Sequence, residues 1–368
     1  MPADLAPPDP DQVELSLFGP GLGEAIALHA GNGDWLLVDS CFDDQGDPAA
    51  LAYLMSIGVD PTNVRCLVAT HWDDDHVGGL ARTLEACTAA KFACSSAVRT
   101  HEFLVLTESA GSGSMMTRSG FSEFAGVLAT LKKRRVADQR FAAPVLAIEG
   151  RPVWRRAGTG SVPSARLTAL APSDAGVALA QRALAQLLPH AGDAKRRIRS
   201  PSPNRTSVVL ELEVGAVRVL LGADLEITPD PTTGWLAILD GMHGPQGRSS
   251  AFKVPHHGAE DADEPRVWHE LLEAEPLAIL APFTQGNIAL PRPTDRLRLL
   301  SRTPDVFTTS AQPRRRRRHQ TAVERTLRES GIAIRDAEQP MGHVRLRRRQ
   351  DAPRWSVDLF GPASRLAA

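Results

Sequence analysis

The chain has 368 residues, of which 42% are hydrophobic and 23% charged, and its formal net charge is −1. This composition is typical of a soluble globular protein with room for a sizeable core. A net charge this close to zero excludes a global field that would attract nucleic acid, so any surface for nucleic acid has to be local.

The cysteines and the N-terminal segment bear on the cellular compartment. Cys41, Cys66, Cys87 and Cys94 form no CxxC pair, and two of them lie in apolar, strand-like runs. This usage favours free buried thiols in a reducing compartment. The N-terminus lacks the basic and apolar regions of a signal peptide, and no apolar run approaches the roughly 18–20 residues of a membrane span. We therefore expect a soluble, cytoplasmic protein without a membrane partner.

Strand and helix patterns alternate along the first hundred residues. The predicted strands are 13–18, 24–30, 34–39, 64–70 and 92–98, and the predicted helices are 48–57 and 79–90. Gly-rich turns separate the first three strands. The alternation predicts a layered α/β fold.

The later part of the chain is less regular. A Gly/Ser-rich loop at 107–120, between helical patterns at 100–106 and 121–134, predicts an insertion around 99–135 that is either an active-site lid or a surface excursion. Beyond it the pattern predicts a helix at 175–188 and strands at 166–170, 207–214, 216–221, 278–282 and 305–309. We expect a disordered Pro-rich start at 1–12 and a single domain at 13–310. An Arg-rich loop, a helix and closing strands at 311–368 should pack on that domain.

The densest group of chemically active residues directly follows the predicted strand at 64–70. Within the segment HWDDDH, five of six residues can bind a metal, namely His71, Asp73, Asp74, Asp75 and His76. Carboxylates packed this tightly repel one another unless a cation compensates them. A solvated acidic turn at a helix N-terminus is the alternative. The histidine at each end and the Gly78-Gly79 pair favour a metal site.

Three distant segments place similar groups after apolar strands. Asp39 closes the run WLLVD, Asp224 follows VRVLLGA, and FKVPHHG places His256 and His257 after a short strand. Each segment alone is weak evidence, because an acid after a strand is commonly a cap and adjacent histidines are commonly surface residues. Their shared position at the C-terminal end of a strand gives them joint weight.

The motif His71-x-Asp73-x-Asp75-His76 resembles the HxHxDH signature of the metallo-β-lactamase superfamily, with Asp73 in place of the second histidine. The other motifs follow in family order. Their closest resemblance is to the soluble metallo-hydrolase domain of ComEC-type DNA-uptake proteins, in discontinuous segments from about residue 13 to 310. The resemblance implies a four-layer αβ/βα sandwich and a metal-dependent hydrolase.

The resemblance also implies roles for individual residues. Two divalent ions, Zn²⁺ or Mn²⁺, would be bound at His71, Asp73, Asp75, His76, Asp224 and His257, with Asp224 bridging them. Asp75 would also orient the attacking water, and His256 would either protonate the leaving oxygen or bind the product. Residues expected beside these ligands or against the substrate are Asp39, Asn204, Ser207, Lys253 and Asn287.

The sequence departs from the family pattern in three places. The third histidine ligand has no counterpart, and the segment from Asn204 to Ser207 stands in its place. Leu290 precedes Pro291 where a histidine is common, and Ser40-Cys41 replaces the usual Thr-Gly. Oxygen-rich sites favour Mn²⁺ or Mg²⁺ whereas imidazoles favour Zn²⁺, so the native metal stays open.

Several functions are compatible with these residues. Two metals with an open face suit phosphodiester hydrolysis, and the ComEC-type resemblance implies cleavage of DNA. Lys253 would neutralise a phosphate, and the arginine run at 314–318 would follow a nucleic-acid backbone unless it is a solvated loop. The alternatives are a hydrolase of a small ester, lactone or cyclic nucleotide, and a degenerate sensor that binds without cleaving. The intact ligand set argues against the sensor.

Overall fold

The computed structural model describes residues 6–99, 120–137, 143–185, 203–310 and 340–367. Within these ranges the strands form two eight-stranded sheets and a two-stranded ribbon. The first sheet contains β1 (Gln12–Gly19), β2 (Ala25–His29), β3 (Trp35–Val38), β4 (Val64–Ala69), β5 (Lys91–Ser95), β6 (Val145–Ala147), β16 (Gly342–Arg349) and β17 (Ser356–Phe360). Its order is β17-β16-β1-β2-β3-β4-β5-β6. The strands are antiparallel as far as β3 and parallel from β3 to β6.

The second sheet has the same division. It contains β7 (Arg151–Arg156), β8 (Ala165–Ala169), β9 (Leu210–Val214), β10 (Val217–Leu221), β11 (Ser249–Lys253), β12 (Leu272–Leu280), β15 (Val306–Thr308) and β18 (Ser364–Arg365). Its order is β18-β15-β12-β11-β10-β9-β8-β7, and the pairs from β10 to β15 are parallel. The ribbon consists of β13 (Phe283–Gln285) and β14 (Ile288–Leu290).

Short helices connect the strands. The α-helices are α1 (Ala49–Ser56), α2 (Asp74–Val77), α3 (Leu80–Ala86), α4 (Gly120–Ala137), α5 (Asp174–Ala185), α6 (Gly234–Asp240) and α7 (Pro293–Arg302). Single 3₁₀ turns lie at Pro61–Asn63, Ser96–Arg99, Pro203–Thr206, His256–Gly258 and Glu260–Ala262, and a π-helical turn lies at Val267–Leu271. None of the helices in the described ranges is both long and apolar enough to cross a membrane.

Three apolar clusters show how these elements are layered. The middle cluster joins the facing sides of the two sheets, with Leu15 of β1 and Val219 of β10 among its members. A second cluster packs the outer face of the first sheet against α1, α3 and α4. A third packs the outer face of the second sheet against α6 and α7. The order helix, sheet, sheet, helix confirms the predicted four-layer αβ/βα sandwich.

The run WLLV of β3 shows why these strands read as continuous apolar segments. Because successive side chains of a strand point to opposite faces, Leu36 and Val38 enter the middle cluster. Trp35 and Leu37 enter the outer one. A strand covered on both faces has no solvent side to mark with polar residues.

Most predicted elements lie within a few residues of observed ones, and three predictions need comment. The predicted disorder of 1–12 does not extend to residues 6–12, because β1 begins at Gln12 and Arg347 donates to the Ala6 carbonyl. Within the predicted insertion, α4 packs on α3 through buried Phe124 and Val127, so this helix belongs to the outer layer and is not a lid. Residues 100–119 and the arginine run at 314–318 lie outside the described residues.

The parallel strands of both sheets end at one edge of the sandwich. Asp39 follows β3, His71 follows β4, Asp224 follows β10 and His257 follows β11. The carboxyl ends of parallel strands are where such sheets present binding groups. The fold therefore brings distant parts of the chain together at this edge.

Candidate metal centre

The acidic cluster folds into a sharp turn and a four-residue helix, α2, that divide its side chains. The rings of His71 and His76 are both buried and their centroids are 4.1 Å apart. The side chain of Asp75 is 15% exposed, whereas that of Asp73 is 43% exposed at the rim. Asp74 is exposed and accepts a hydrogen bond from the backbone of Gly120. The turn thus directs four of the five polar side chains towards the sheet edge.

Four donor atoms from three segments converge below this turn. His76 Nε2 is 3.3 Å from Asp224 Oδ2 and 3.7 Å from Asp75 Oδ2. His257 Nε2 is 3.3 Å from Asp75 Oδ2 and 3.4 Å from Asp224 Oδ2. Ligands about 2.0–2.1 Å from a tetrahedral ion are about 3.3–3.5 Å from one another. We refer to these four residues, Asp75, His76, Asp224 and His257, as the four-donor site.

The hydrogen bonds of the imidazoles show which nitrogen each presents to the edge. His257 Nδ1 donates to the Ala281 carbonyl at 2.9 Å. His76 Nδ1 donates to Asp39 Oδ2 at 2.8 Å. His71 Nε2 and His76 Nε2 are buried without any hydrogen-bond partner among the described residues. Each ring is therefore anchored through Nδ1 and directs Nε2, the ligand atom, towards the carboxylates.

Asp39 lies behind this set of nitrogens. Besides His76, it accepts hydrogen bonds from the backbone N–H and the hydroxyl of Thr70, both at 2.7 Å. Since that hydroxyl proton is directed to Asp39, Thr70 Oγ1 accepts from His71 Nδ1 at 2.9 Å. One carboxylate thus orients two imidazoles, one directly and one through Thr70. Thr70 was not predicted from the sequence, where it reads as the end of a strand.

Glu24 and Lys253 form a fully buried ion pair behind the same rings. The Lys253 ammonium contacts Glu24 Oε1, donates to the Ala223 carbonyl at 2.9 Å and lies 3.5 Å from Asp224 Oδ1. The predicted contact of Lys253 with a substrate phosphate is therefore wrong, because the side chain is 0% exposed and its donors face protein acceptors. Glu24 was missed as a site residue, although a lone acid after the Gly-rich turn GPGLG marks it.

The backbone before Glu24 explains that glycine turn. Gly23 has a φ of +93°, and a Cβ at this position would lie 2.9 Å from the Asp75 carbonyl oxygen. The N–H of Glu24 donates to the same oxygen at 3.0 Å. The turn therefore fastens the first hairpin directly beneath the acidic cluster.

Candidate ligand groups in the described ranges are Glu24, His76, Asp224 and His257, and also Asp39, His71 and His76. Hydrogen bonding separates ligands from supports within them. Glu24 approaches His76 and His257 from their Nδ1 sides, at 3.8 and 3.7 Å, opposite the Nε2 atoms. Asp39 is occupied by Thr70 and His76. Both acids are therefore supporting groups rather than ligands.

The segment in place of the missing histidine lies beside the end of β4. The N–H of Val208 donates to the Thr70 carbonyl at 3.0 Å, which brings the preceding Ser207 near the cluster. The Ser207 hydroxyl is fully buried and has no hydrogen-bond partner among the described residues. The side-chain nitrogen of Asn204, Nδ2, lies 3.3 Å from His256 Nε2.

The remaining predicted residues lie around the site. His256 is half-buried, held between Asn204 and Asp261, whose Oδ1 accepts from its Nδ1 at 3.0 Å. It borders a cavity of about 400 Å³ that Arg292, Ile288 and Leu290 also line. Asn287, by contrast, is exposed at the tip of the β13–β14 ribbon. The structure therefore does not bring Asn287 to the ligands.

Backbone strain is concentrated at this edge. Five non-glycine residues of the described chain have a positive φ, and four of them belong to the site: Asp39, Ala223, His256 and His257. L-residues rarely adopt this conformation, and it persists only where surrounding contacts impose it. The strained turns position the acid after β3 and both histidines after β11.

The pKa values follow from the packing of opposite charges. Burial lowers the pKa of His71 to about 4, and His76 acts in the same direction. Burial opposes protonation of His257 as well, but Asp224 and Asp75 raise its pKa to about 10. Partial burial, together with Asp75, raises the pKa of Asp73 above its ordinary value. Without a metal, protons on His76 and His257 compensate the inner carboxylates, as a divalent cation would.

These residues fit a divalent metal. The fit rests on buried imidazole nitrogens without partners and on donor separations that match a tetrahedral shell. Imidazole with carboxylate is a donor set of Zn²⁺ and also of Mn²⁺. Asp75, His76, Asp224 and His257 would hold one ion, and His71 with Asp73 would contribute to a second.

Comparison with known proteins identifies the class. The profile of the metallo-beta-lactamase superfamily matches residues 19–142. No curated protein matches the chain. The fold and the donor set are those of a metal-dependent hydrolase, and the match over residues 19–142 includes the motif that resembles the superfamily signature.

Solved structures that match the chain do so at low sequence identity and low TM-score. The metallo-beta-lactamase fold protein YhfI from Bacillus subtilis is 10% identical over 66% of this chain and 70% of its own, with a TM-score of 0.31. The MIM-2 metallo-beta-lactamase is 16% identical over 55% of this chain and 55% of its own, with a TM-score of 0.29. A HARLDQ-motif mutant metallo-beta-lactamase from Cronobacter sakazakii is 14% identical over 65% of this chain and 75% of its own, with a TM-score of 0.34. Similarity at this level gives no indication of the substrate.

Proposed function

We propose that this protein is a metal-dependent phosphodiesterase that acts on nucleic acid and uses two divalent ions, Zn²⁺ or Mn²⁺. The observation that carries the proposal is the oxygen-rich donor set, in which Asp73, Asp75 and Asp224 face three imidazole Nε2 atoms at one edge. Bound divalent ions supply a hydroxide at neutral pH and brace the oxygens of a phosphoryl displacement. The ComEC-type motif set supports DNA as the substrate.

The residues of the chain divide the remaining work. Asp75 Oδ2 lies between the two nitrogens His76 Nε2 and His257 Nε2, where its carboxylate orients the attacking water. His256 stands outside the four-donor site and supplies a proton to the leaving oxygen. Burial alone would lower the pKa of His256, but Asp261 and Asp224 raise it above its ordinary value. The raised pKa favours the protonated, acid form of the ring.

Arg292 takes the role of phosphate contact in this proposal. Its side chain is exposed and lines the same cavity as His256, whereas Lys253 is buried. A guanidinium binds phosphate oxygens in a bidentate manner. The arginine run at 314–318 would extend the contact along a nucleic-acid backbone.

A small-molecule hydrolase is the second candidate, and one observation favours it. The cavity beside His256, at about 400 Å³, has the size of a pocket for a small ligand. Ile288 and Leu290 supply an apolar wall that suits an ester or lactone better than a phosphate chain.

One set of assays separates the two. The protein, loaded with Mn²⁺ or Zn²⁺, is tested on bis-p-nitrophenyl phosphate, on single- and double-stranded DNA, and on lactone and thioester substrates. Asp75→Ala is the inactive reference and Asp74→Ala the matched control, because both acids lie on α2 but only Asp75 faces the donors. We expect hydrolysis of the phosphodiesters. Rapid turnover of a lactone or thioester, with no phosphodiester cleaved, would establish the second candidate instead.

A further inference from the structure

The buried Lys253 occupies a position that affects how Asp224 can bind metal. Its ammonium is 3.5 Å from Asp224 Oδ1, an ion-pair contact without a hydrogen bond, while Asp224 Oδ2 is directed at His76 and His257. The two oxygens of this carboxylate therefore face different cations. A carboxylate that bridges two metals through both of its oxygens needs each oxygen directed at a metal, and here the ammonium lies beside one of them.

The second metal position has fewer ligands than the first. His71 Nε2 has one carboxylate within ion-pair distance in the described chain, that of Asp73 at 3.9 Å. Asp73 is at the rim with its side chain 43% exposed, and the third histidine of the family pattern is replaced by Asn204 to Ser207. The four-donor site, by contrast, is largely buried, and three of its four nitrogen–oxygen separations, at 3.3 to 3.4 Å, match a tetrahedral shell while the fourth is 3.7 Å.

We infer that Lys253, held by Glu24, restricts Asp224 to the four-donor site, so that the chain binds one divalent ion tightly and a second weakly at His71 and Asp73. The inference rests on the metal centre of the proposed function and specifies its asymmetry. Lys253 acts through Asp224 and is a positioning residue. Glu24 keeps the ammonium in place, because burying one charge without its partner is costly.

Stepwise metal titration of the full-length protein tests this inference. Co²⁺ is added to metal-free protein without substrate, and calorimetry gives two dissociation constants while visible absorption reports the geometry of each bound ion. We expect the first ion to be tetrahedral and to bind at least about tenfold more tightly than the second, the scale on which supporting groups alter metal affinity.

A double variant, Lys253→Met with Glu24→Gln, removes both charges of the buried pair and leaves no lone ion behind. It frees Asp224 Oδ1, so we expect the ratio of the two dissociation constants to fall by about tenfold. The matched control is Lys133→Met with Glu85→Gln, which removes an exposed Lys–Glu pair far from the ligands. Circular dichroism confirms that each variant is folded, and the ratio measured in the unaltered protein keeps the inference testable if the double variant is not.

The outcomes separate cleanly. A ratio that falls in the double variant and not in the control supports the inference. Equal affinities in the unaltered protein, or a ratio unchanged in the double variant, would overturn it. Because no substrate is present, hydrolysis of something other than a phosphodiester would leave these constants unchanged. A protein that binds no Co²⁺ would overturn both the inference and the proposed function.

Discussion

Asp39 Oδ2 accepts a hydrogen bond from His76 Nδ1 at 2.8 Å, and it also accepts from the Thr70 hydroxyl that orients His71. The Asp39 side chain is buried and its backbone has a positive φ. Its carboxylate oxygens are occupied by Thr70 and His76, so we assign it as a support and not as a ligand. Asp39, which follows β3, thereby fixes the tautomer and the ring orientation of His71 and His76, which both follow β4. Such carboxylate–histidine pairs raise the basicity of a ligand as well as orienting it.

This relationship makes the support of the two imidazoles testable. Asp39→Asn keeps the shape of the side chain but weakens the acceptor for both Thr70 and His76. We expect metal affinity to fall by about 10- to 100-fold. Thr70→Val should weaken mainly the ion bound by His71, because His76 keeps its direct bond. Competition with a fluorescent chelator measures both, and equal losses of both ions in Thr70→Val would contradict the relay.

The metal ligands could be predicted from the sequence more readily than the residues that support them. His71, Asp75, His76, Asp224 and His257 could be predicted because ligands must be His or Asp and follow strands in family order. Glu24 and Thr70 were missed, since the role of Thr70 depends on Asp39, 31 residues away, and the role of Glu24 depends on which side of each ring it approaches. The role of Lys253 also depends on its burial. The sequence shows a cation next to the ligands, and only the packing shows that this cation forms a buried ion pair with Glu24.

The acidic cluster provides a test of register within α2. Asp75→Ala or His76→Ala should abolish activity and lower the bound metal, because each removes a donor of the four-donor site. Asp74→Ala should change both by less than about twofold, in line with an exposed surface substitution. Metal content by elemental analysis and turnover of bis-p-nitrophenyl phosphate are the measurements. Comparable damage from all three would mean that the ligands are misassigned.

Metal binding should release protons, and the pKa values give the direction. In the metal-free protein the pKa of His257 is raised from 6.5 to about 10, so its proton stabilises the fold fully below pH 6.5 and is lost as the pH rises through about 10. A metal must displace that proton, since the ligand is the neutral ring. Apparent affinity should therefore rise by about tenfold per pH unit for each proton released, up to about pH 10.

Calorimetry in buffers of different ionisation enthalpy counts these protons at neutral pH. At least one should be released on binding the first ion. The His257→Gln variant should release fewer and bind more weakly. Binding without proton release at pH 7 would show that the imidazoles are neutral before the metal arrives.

The buried ion pair has a consequence for stability apart from its effect on metal. Lys253→Met alone leaves Glu24 buried without its partner, and we expect the free energy of unfolding of the metal-free protein to fall by about 3–5 kcal/mol. The double variant with Glu24→Gln should lose clearly less, because no lone charge remains. Urea unfolding followed by circular dichroism measures both. An equal loss in the single and double variants would mean that the pair contributes through packing alone.

Binding of nucleic acid provides the last test. It concerns Arg292, which the structure describes, and the arginine run, which lies outside the described residues. The proposed phosphodiesterase has Arg292 beside His256 and, in the sequence, the arginine run at 314–318. Replacing the five arginines of the run with glutamine should weaken binding to DNA of any sequence and flatten its dependence on salt, because fewer counterions are released. Arg292→Gln should instead reduce turnover of bis-p-nitrophenyl phosphate, since Arg292 lines the cavity beside His256 that this small substrate would enter. Fluorescence anisotropy across a salt series and steady-state kinetics measure the two effects, with the exposed Arg82→Gln as a control distant from the ligands. Unchanged DNA affinity in the first variant would reduce the run to a solvated loop, while unchanged turnover in the second would remove Arg292 from the site.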